Sequence, residues 1–169
     1  TVIGLESKAE IKHQGFMFRV RMDRIERRDG EVYILDYKMG GDPSKLRTKI
    51  AKLDIDDPGT WANAIGSFQL PLYAMVYRLN ANVAIAKIKP AFLFLGKGKI
   101  DGTIESPLFD KDIPHEDQYA KLEEVLFKVL KEIVDVETPF RATQDLEEQC
   151  PRCPFKAICG TQWVLGWNQ

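Results

Sequence analysis

Apolar and polar residues alternate through "KAEIKHQGFMFRVRMDRIERRDGEVYILDYKM", and a period of two predicts three successive strands. The first covers roughly Lys8 to His13 and ends at a Gln14-Gly15 turn. The second runs from Phe16 to about Arg27, and the third from Glu31 to about Lys38, with Asp29-Gly30 between them. From Gly40 to about Gly66 the chain is polar and carries Gly, Pro and Asp, which predicts loop, with one helical turn or two in "PSKLRTKIAKL". "SFQLPLYAMVYRL" predicts a helix, with Pro71 in its first turns, where the ring is tolerated. "KPAFLFLG" reads as a short buried strand and "GTIESPLF" as its edge partner. "HEDQYAKLEEVLFKVLKEIVDV" is amphipathic at helical period, with Tyr119, Leu122, Leu126, Val129, Leu130 and Ile133 on one face. From Thr138 on the chain is irregular. The order of elements predicts an α/β fold, a mixed central sheet flanked by helices, as a single domain over residues 1–169.

The hairpin around Asp29-Gly30 carries candidate chemistry. Such a dipeptide favours a two-residue turn, which sets Arg28 opposite Glu31. Continued along the strands, that pairing sets Asp23 opposite Asp36. Opposed side chains share a face with Cβ atoms about 4.5–5.5 Å apart. Lys38, two residues beyond Asp36, shares it too. Two carboxylates facing each other repel unless a cation lies between them. With water and phosphate oxygens they suit Mg²⁺ or Mn²⁺. Such an ion polarises a phosphate and lowers the pKa of bound water. Lys38 is placed to orient that water or to offset developing charge. The outline is that of a phosphodiester-hydrolysing site. The bland reading is a surface hairpin on which Lys38 pairs with Asp36. A three-residue turn would also move Asp23 to the other face.

Composition adds bounds. Of 169 residues, 44% are hydrophobic and 29% charged, which reads as a soluble globular domain with no segment long enough to span a bilayer. Net charge is −1, so the chain as a whole is no obvious polyanion binder. Charge is nonetheless uneven: residues 8 to 52 hold 12 Lys and Arg against 7 acids, and residues 101 to 149 hold 14 acids against 5 bases. The basic half contains Arg24, Arg27, Arg28, Lys45, Arg47, Lys49 and Lys52, a candidate phosphate track beside the hairpin. Singly, each is an ordinary surface charge. Trp61, Trp163 and Trp167 offer stacking surfaces for bases, or simply pack at domain edges. The three cysteines, Cys150, Cys153 and Cys159, are odd in number and tightly clustered. That does not suit a secreted disulfide framework and points to a reducing, cytoplasmic compartment and a metal. Three thiolates fall short of the usual four-ligand set of a zinc or iron–sulfur site. Completion by His13 or His115, or three plain reduced thiols, are the other readings.

Three segments carry a family resemblance. "VRMDRIERRDGEVYILDYKMGG" resembles the G-x-I-D-R-I-D, turn, V-D-Y-K-T-G segment of the PD-(D/E)XK nuclease superfamily. "FQLPLYAMVY" is similar to the Q-L-P-L-Y helix of RecB-type nucleases, and "CPRCPFKAICG" to the C-x₂-C-x₅-C tail of iron–sulfur members such as the AddB nuclease domain. The order and spacing match from roughly Glu10 to Gly160. Val20 and Met39 stand where the family often has Gly and Thr, positions that supply no ligand.

The resemblance implies a restriction-endonuclease-like core with Asp23 and Asp36 as metal ligands and the Tyr37 carbonyl as a third. It implies Lys38 as the catalytic lysine, with Gln69 and Tyr73 lining the site from the helix. Glu10, loosely matched to an acidic family position, reads as a solvated strand residue. Cys150, Cys153 and Cys159 would be cluster ligands, with a fourth cysteine upstream of Thr1. The chain then reads as the C-terminal piece of a longer protein. The full protein would hold a structural [4Fe–4S] cluster that this piece alone lacks. The implied activity is a Mg²⁺- or Mn²⁺-dependent DNA exonuclease, acting on single-stranded ends with a helicase–nuclease partner subunit in double-strand break repair. A CRISPR-associated exonuclease of the same superfamily, and a non-catalytic DNA-binding or scaffold domain, are the alternatives.

Overall fold

The computed structural model describes residues 1–40, 42–96, 104–139, 143 and 146–164. The chain forms two compact units, Thr1–Leu130 and Lys131–Gln169.

The first unit is built on a five-stranded sheet in the order β1-β2-β3-β4-β5. Its strands are β1 (Val2–His13), β2 (Phe16–Arg28), β3 (Glu31–Lys38), β4 (Ile88–Phe94) and β5 (Glu105–Pro107). Only β3 and β4 pair in parallel; the other neighbours are antiparallel, so the sheet is mixed. Between β3 and β4 lie two short helices, α1 (Pro43–Leu46) and α2 (Trp61–Ala64), and the longer α3 (Gln69–Ala81). After β5 comes α4 (His115–Val134). The fold is therefore α/β with the restriction-endonuclease-like order of sheet and flanking helices.

Both hairpin turns take the form their dipeptides favour. Gln14-Gly15 and Asp29-Gly30 have positive φ at both central residues, 46° and 86° in the first, 49° and 82° in the second. Only glycine adopts the second position without strain. The register that follows runs Arg28↔Glu31, Arg27↔Val32, Glu26↔Tyr33, Ile25↔Ile34 and Arg24↔Leu35. β1 begins at Val2, not near Lys8, because its partner β2 is long enough to pair with all of it.

Strand β3 is buried on both faces: Val32, Ile34, Leu35 and Asp36 are all buried. A strand between β2 and the parallel β4 has no solvent face to give away. α3 packs Leu70, Tyr73, Ala74 and Val76 into the same core. α4 buries Tyr119, Leu122, Val125, Leu126 and Phe127. Val129 and Leu130 pack against the core partially, whereas Ile133 in the last turn is exposed.

The segment after β3 is held by side chains. Asp42 caps α1 by accepting the Ser44 amide at 2.9 Å. The Trp61 indole donates to the Asp54 carbonyl at 2.8 Å, and Lys128 of α4 reaches the Ile55 carbonyl at 3.0 Å and Asp56 at 2.8 Å.

In the second unit, α5 (Leu146–Gln149) leads into successive turns through the cysteines. The Cys150 amide donates to the Leu146 carbonyl at 3.0 Å, and the Cys153 amide to Cys150 at 3.1 Å. Trp163 is exposed, with its indole on the Gly160 carbonyl at 2.8 Å, and Trp167 lies outside the described residues. Among the described residues no helix is long and apolar enough to cross a membrane.

Candidate active site

Asp36 and Lys38 extend from the end of β3, and α3 delivers Gln69 from its first turn onto both. The Lys38 ammonium donates to Gln69 Oε1 at 2.8 Å. The amide nitrogen of Gln69 donates to Asp36 Oδ1 at 2.5 Å and to the Tyr73 hydroxyl at 2.9 Å. Gln69 and Tyr73 are one helical turn apart, which puts both on the face toward β3. The glutamine therefore uses its carbonyl for the base and its NH₂ for the acid.

Lys38 Nζ also stands 2.6 Å from Asp36 Oδ2, as an ion pair. That ammonium is the partner of this oxygen, in a residue only 2% exposed. Burial pushes the Asp36 carboxyl above its ordinary range, Asp23 adds to that, and Lys38 pulls it partway back. Lys38 in turn lies over the Phe92 ring of β4, 5.0 Å from its centroid.

Asp23 comes from β2 at the point where the β2–β3 pairing stops. The ladder ends at Arg24↔Leu35, and beyond it the Tyr37 amide donates to Asp23 Oδ2 at 2.9 Å. A side-chain carboxylate thus takes the donor that a further backbone rung would have taken. Burial, with the negative charge of Asp36, Asp23 and Glu6, pushes the Tyr73 phenol upward against the hydrogen bond from Gln69. It is a neutral hydroxyl at physiological pH.

The residues expected to form the centre, Asp23, Asp36, Tyr37, Lys38, Gln69 and Tyr73, are joined by these contacts. The expected phosphate-binding residues divide. Arg24 and Arg28 share a face of β2 with Glu26, the face away from Ile25 and Ile34. Both pair with the buried Glu26, and Arg28 reaches Glu105 at 3.0 Å and stacks 4.1 Å over Tyr33. Burial works against the charge on Glu26, but Arg28 and Arg24 outweigh it and hold that carboxyl below its ordinary value. Arg27 is exposed, and its backbone pairs with Thr1. Lys45 and Arg47 are exposed on and just after α1.

Glu6 is a neighbour that sequence reasoning passed over. The pairs Leu5↔Arg24 and Ser7↔Met22 bracket it with Asp23. It has a left-handed φ of 49°, uncommon outside glycine, and it pairs with Arg21. Applying the turn reasoning to Gln14-Gly15 would have found it.

A divalent cation suits the donor set. Asp36 offers a buried carboxylate held by Lys38 and Gln69, and Asp23 has one oxygen not used on Tyr37. Among the described residues no three His, Cys, Asp or Glu side chains gather as a metal site. Mg²⁺ and Mn²⁺ sites commonly rest on one or two carboxylates, with water and phosphate completing the shell. An iron–sulfur cluster is a different case. Cys150 is buried, Cys153 half-buried and Cys159 exposed, and all three are free. Three cysteines do not supply the four ligands such a cluster takes. His13 is engaged with Phe127 and Glu123, and His115 with Phe109 and Lys89.

Two acids on a hairpin that opens beside them, with a lysine two residues on, form the kind of centre that hydrolyses phosphodiesters with a divalent metal. The chain belongs to the PD-(D/E)XK nuclease superfamily, whose model matches residues 1–160. Membership implies nuclease activity on DNA, with the divalent-metal dependence general in that superfamily. No curated protein and no solved structure matches the chain.

Proposed function

We propose that this chain is a DNA exonuclease domain that uses Mg²⁺ or Mn²⁺ and has Asp23, Asp36 and Lys38 as its centre. The observation that supports it best is Gln69, which holds Lys38 and Asp36 together from a separate element. A surface hairpin with scattered charges has no use for such a clamp. Asp23 and Asp36, with the Tyr37 carbonyl, would hold the cation. When bound, it neutralises charge on the scissile phosphate and makes water more acidic.

The chain's own residues do the rest. Lys38 directs its ammonium to the phosphate oxygens or to the attacking water, where charge builds up as the phosphorus–oxygen bond breaks. Gln69 keeps Lys38 oriented beside Asp36. Tyr73, a neutral hydroxyl, fixes the free edge of Gln69. The Phe92 ring lies against the lysine ammonium.

The narrower assignment is an AddB-like subunit of a bacterial helicase–nuclease that processes double-strand breaks. The "QLPLY" helix and the cysteine tail support it.

Incubation of end-labelled single-stranded DNA with Mn²⁺ tests the reading, beside Asp36→Ala and Lys38→Ala. Cleavage by wild type that is lost in both variants is expected, and the product ladder gives the polarity. Folded wild type that leaves the DNA intact with either metal would favour a non-catalytic scaffold.

A further inference from the structure

The β1–β2 ribbon extends well beyond the pairing of β2 with β3. Its register sets Lys8 opposite Arg21, Glu10 opposite Arg19 and Lys12 opposite Met17. Directly opposed side chains share a face, and all six of these residues are exposed. The other face is apolar: Ala9, Ile11, Phe18 and Val20 pack on the core. So one side of the ribbon anchors it, and the other presents four cations and two acids, Glu10 and Glu6. Arg19 is paired with Glu10 at 3.0 Å and Arg21 with Glu6, both as solvent-exposed pairs. Such pairs are worth little and exchange readily for another anion. Among the described residues no carboxylate pairs with Lys8 or Lys12.

The ribbon reaches the candidate centre. Arg21 lies two residues along β2 from Asp23, about 7 Å at strand rise. Its partner Glu6 is close enough for its charge to act on the Tyr73 phenol.

We propose that the outer face of the β1–β2 ribbon is a nucleic-acid backbone track, with Lys8, Lys12 and Arg19 binding successive phosphates of the strand that enters at Asp23. The proposal rests on the nuclease reading for what happens at Asp23, but not for the binding itself. Contacts of this kind read charge and not sequence. Arg21 stands at the inner end, where an arriving phosphate competes with Glu6 for it.

The test is anisotropy of a labelled oligonucleotide, single-stranded and as a duplex, titrated with the chain in EDTA over a range of KCl concentrations. The variant is Lys8→Gln/Lys12→Gln/Arg19→Gln. The control is Lys87→Gln/Lys121→Gln/Lys131→Gln, which removes the same charge from other exposed positions. The ribbon variant is expected to bind more weakly, with a slope of log affinity against log salt shallower by about 2, since each single-strand phosphate contact contributes about 0.7. The control should keep the wild-type slope. A change confined to the single strand or to the duplex identifies which one the track takes. Equal slopes for the ribbon variant and wild type would overturn the track. Hydrolysis of bis(p-nitrophenyl) phosphate in Mn²⁺ separates the two ideas, because so small a diester cannot reach the ribbon. The ribbon variant should match wild type there. Wild type inert on both diester and DNA would count against the nuclease reading, while the binding slopes still decide the track.

Discussion

The Asp23 carboxylate accepts the Tyr37 amide at 2.9 Å, just past the last paired rung of the β2–β3 hairpin. One residue therefore both closes the open end of the ladder and presents charge to the site. The two roles separate by substitution. Asp23→Asn keeps an acceptor for the amide and loses the charge; it is expected to leave thermal stability nearly unchanged and to weaken Mn²⁺ binding by calorimetry. Asp23→Ala also leaves the amide unpaired, which costs about 1–3 kcal/mol. Equal melting temperatures for the two variants would show that the amide is satisfied in some other way.

Gln69 holds Lys38 and Asp36 through opposite ends of one amide. Gln69→Leu removes both contacts in a partly buried site, and Gln69→Glu keeps the acceptor for Lys38 but repels Asp36. Both are expected to lower kcat on DNA, Gln69→Leu by about 10²-fold, the scale of a catalytic group held in the wrong place. Single-turnover kinetics with saturating enzyme check this, because they read the chemical step alone.

Asp36 makes stability depend on pH in an unusual direction. Its folded pKa is raised, chiefly by burial, so its contribution is fully present below the ordinary carboxylate value of 3.8 and is lost as pH rises through the folded pKa. Asp36→Asn is then expected to melt higher than wild type near neutral pH in EDTA, with the gap closing toward pH ~4. Denaturation scans across pH test it, and a variant less stable at neutral pH would contradict the raised pKa.

His115 acts with the opposite sign on the acid side. Burial, and the Lys89 ammonium 3.2 Å from its Nδ1, hold the imidazole below its ordinary 6.5. A lowered histidine favours the neutral ring in the folded chain. Stability is therefore full above 6.5 and falls as pH drops toward the folded pKa. His115→Gln should flatten that part of the profile.

Gly96 follows β4, where the Leu95 amide donates to the Lys38 carbonyl at 2.9 Å. A Cβ built on Gly96 would lie 1.9 Å from the Met39 carbonyl oxygen, and backbone cannot swing aside as a side chain does. Gly96→Ala is expected to push the strand ends apart next to Lys38. Activity should fall more than stability, which a kcat measurement beside a melting curve resolves.

Much of this site is legible in the sequence. Asp29-Gly30 is a turn signal with few outcomes, and the register it fixes runs to Arg24↔Leu35; the expected rung of Asp23 opposite Asp36 is not formed, and Asp23 instead accepts the Tyr37 amide. Helical spacing puts Gln69 and Tyr73 on one face for the same reason: local geometry is periodic and needs no knowledge of distant chain. What the sequence could not decide was which distant groups those faces would touch. That Gln69 bridges Lys38 and Asp36 depends on how α3 crosses the sheet. Arg24 and Arg28 look like part of a basic cluster because they are neighbours in sequence. Alternation turns them to the far face, and Glu105, 77 residues on, pairs with Arg28 there. Charge has no period to read, so its partners were fixed only by packing. Lys8, Lys12, Arg19 and Arg21 were left exposed around Glu10 for the same reason: the apolar side of the ribbon claimed the core first.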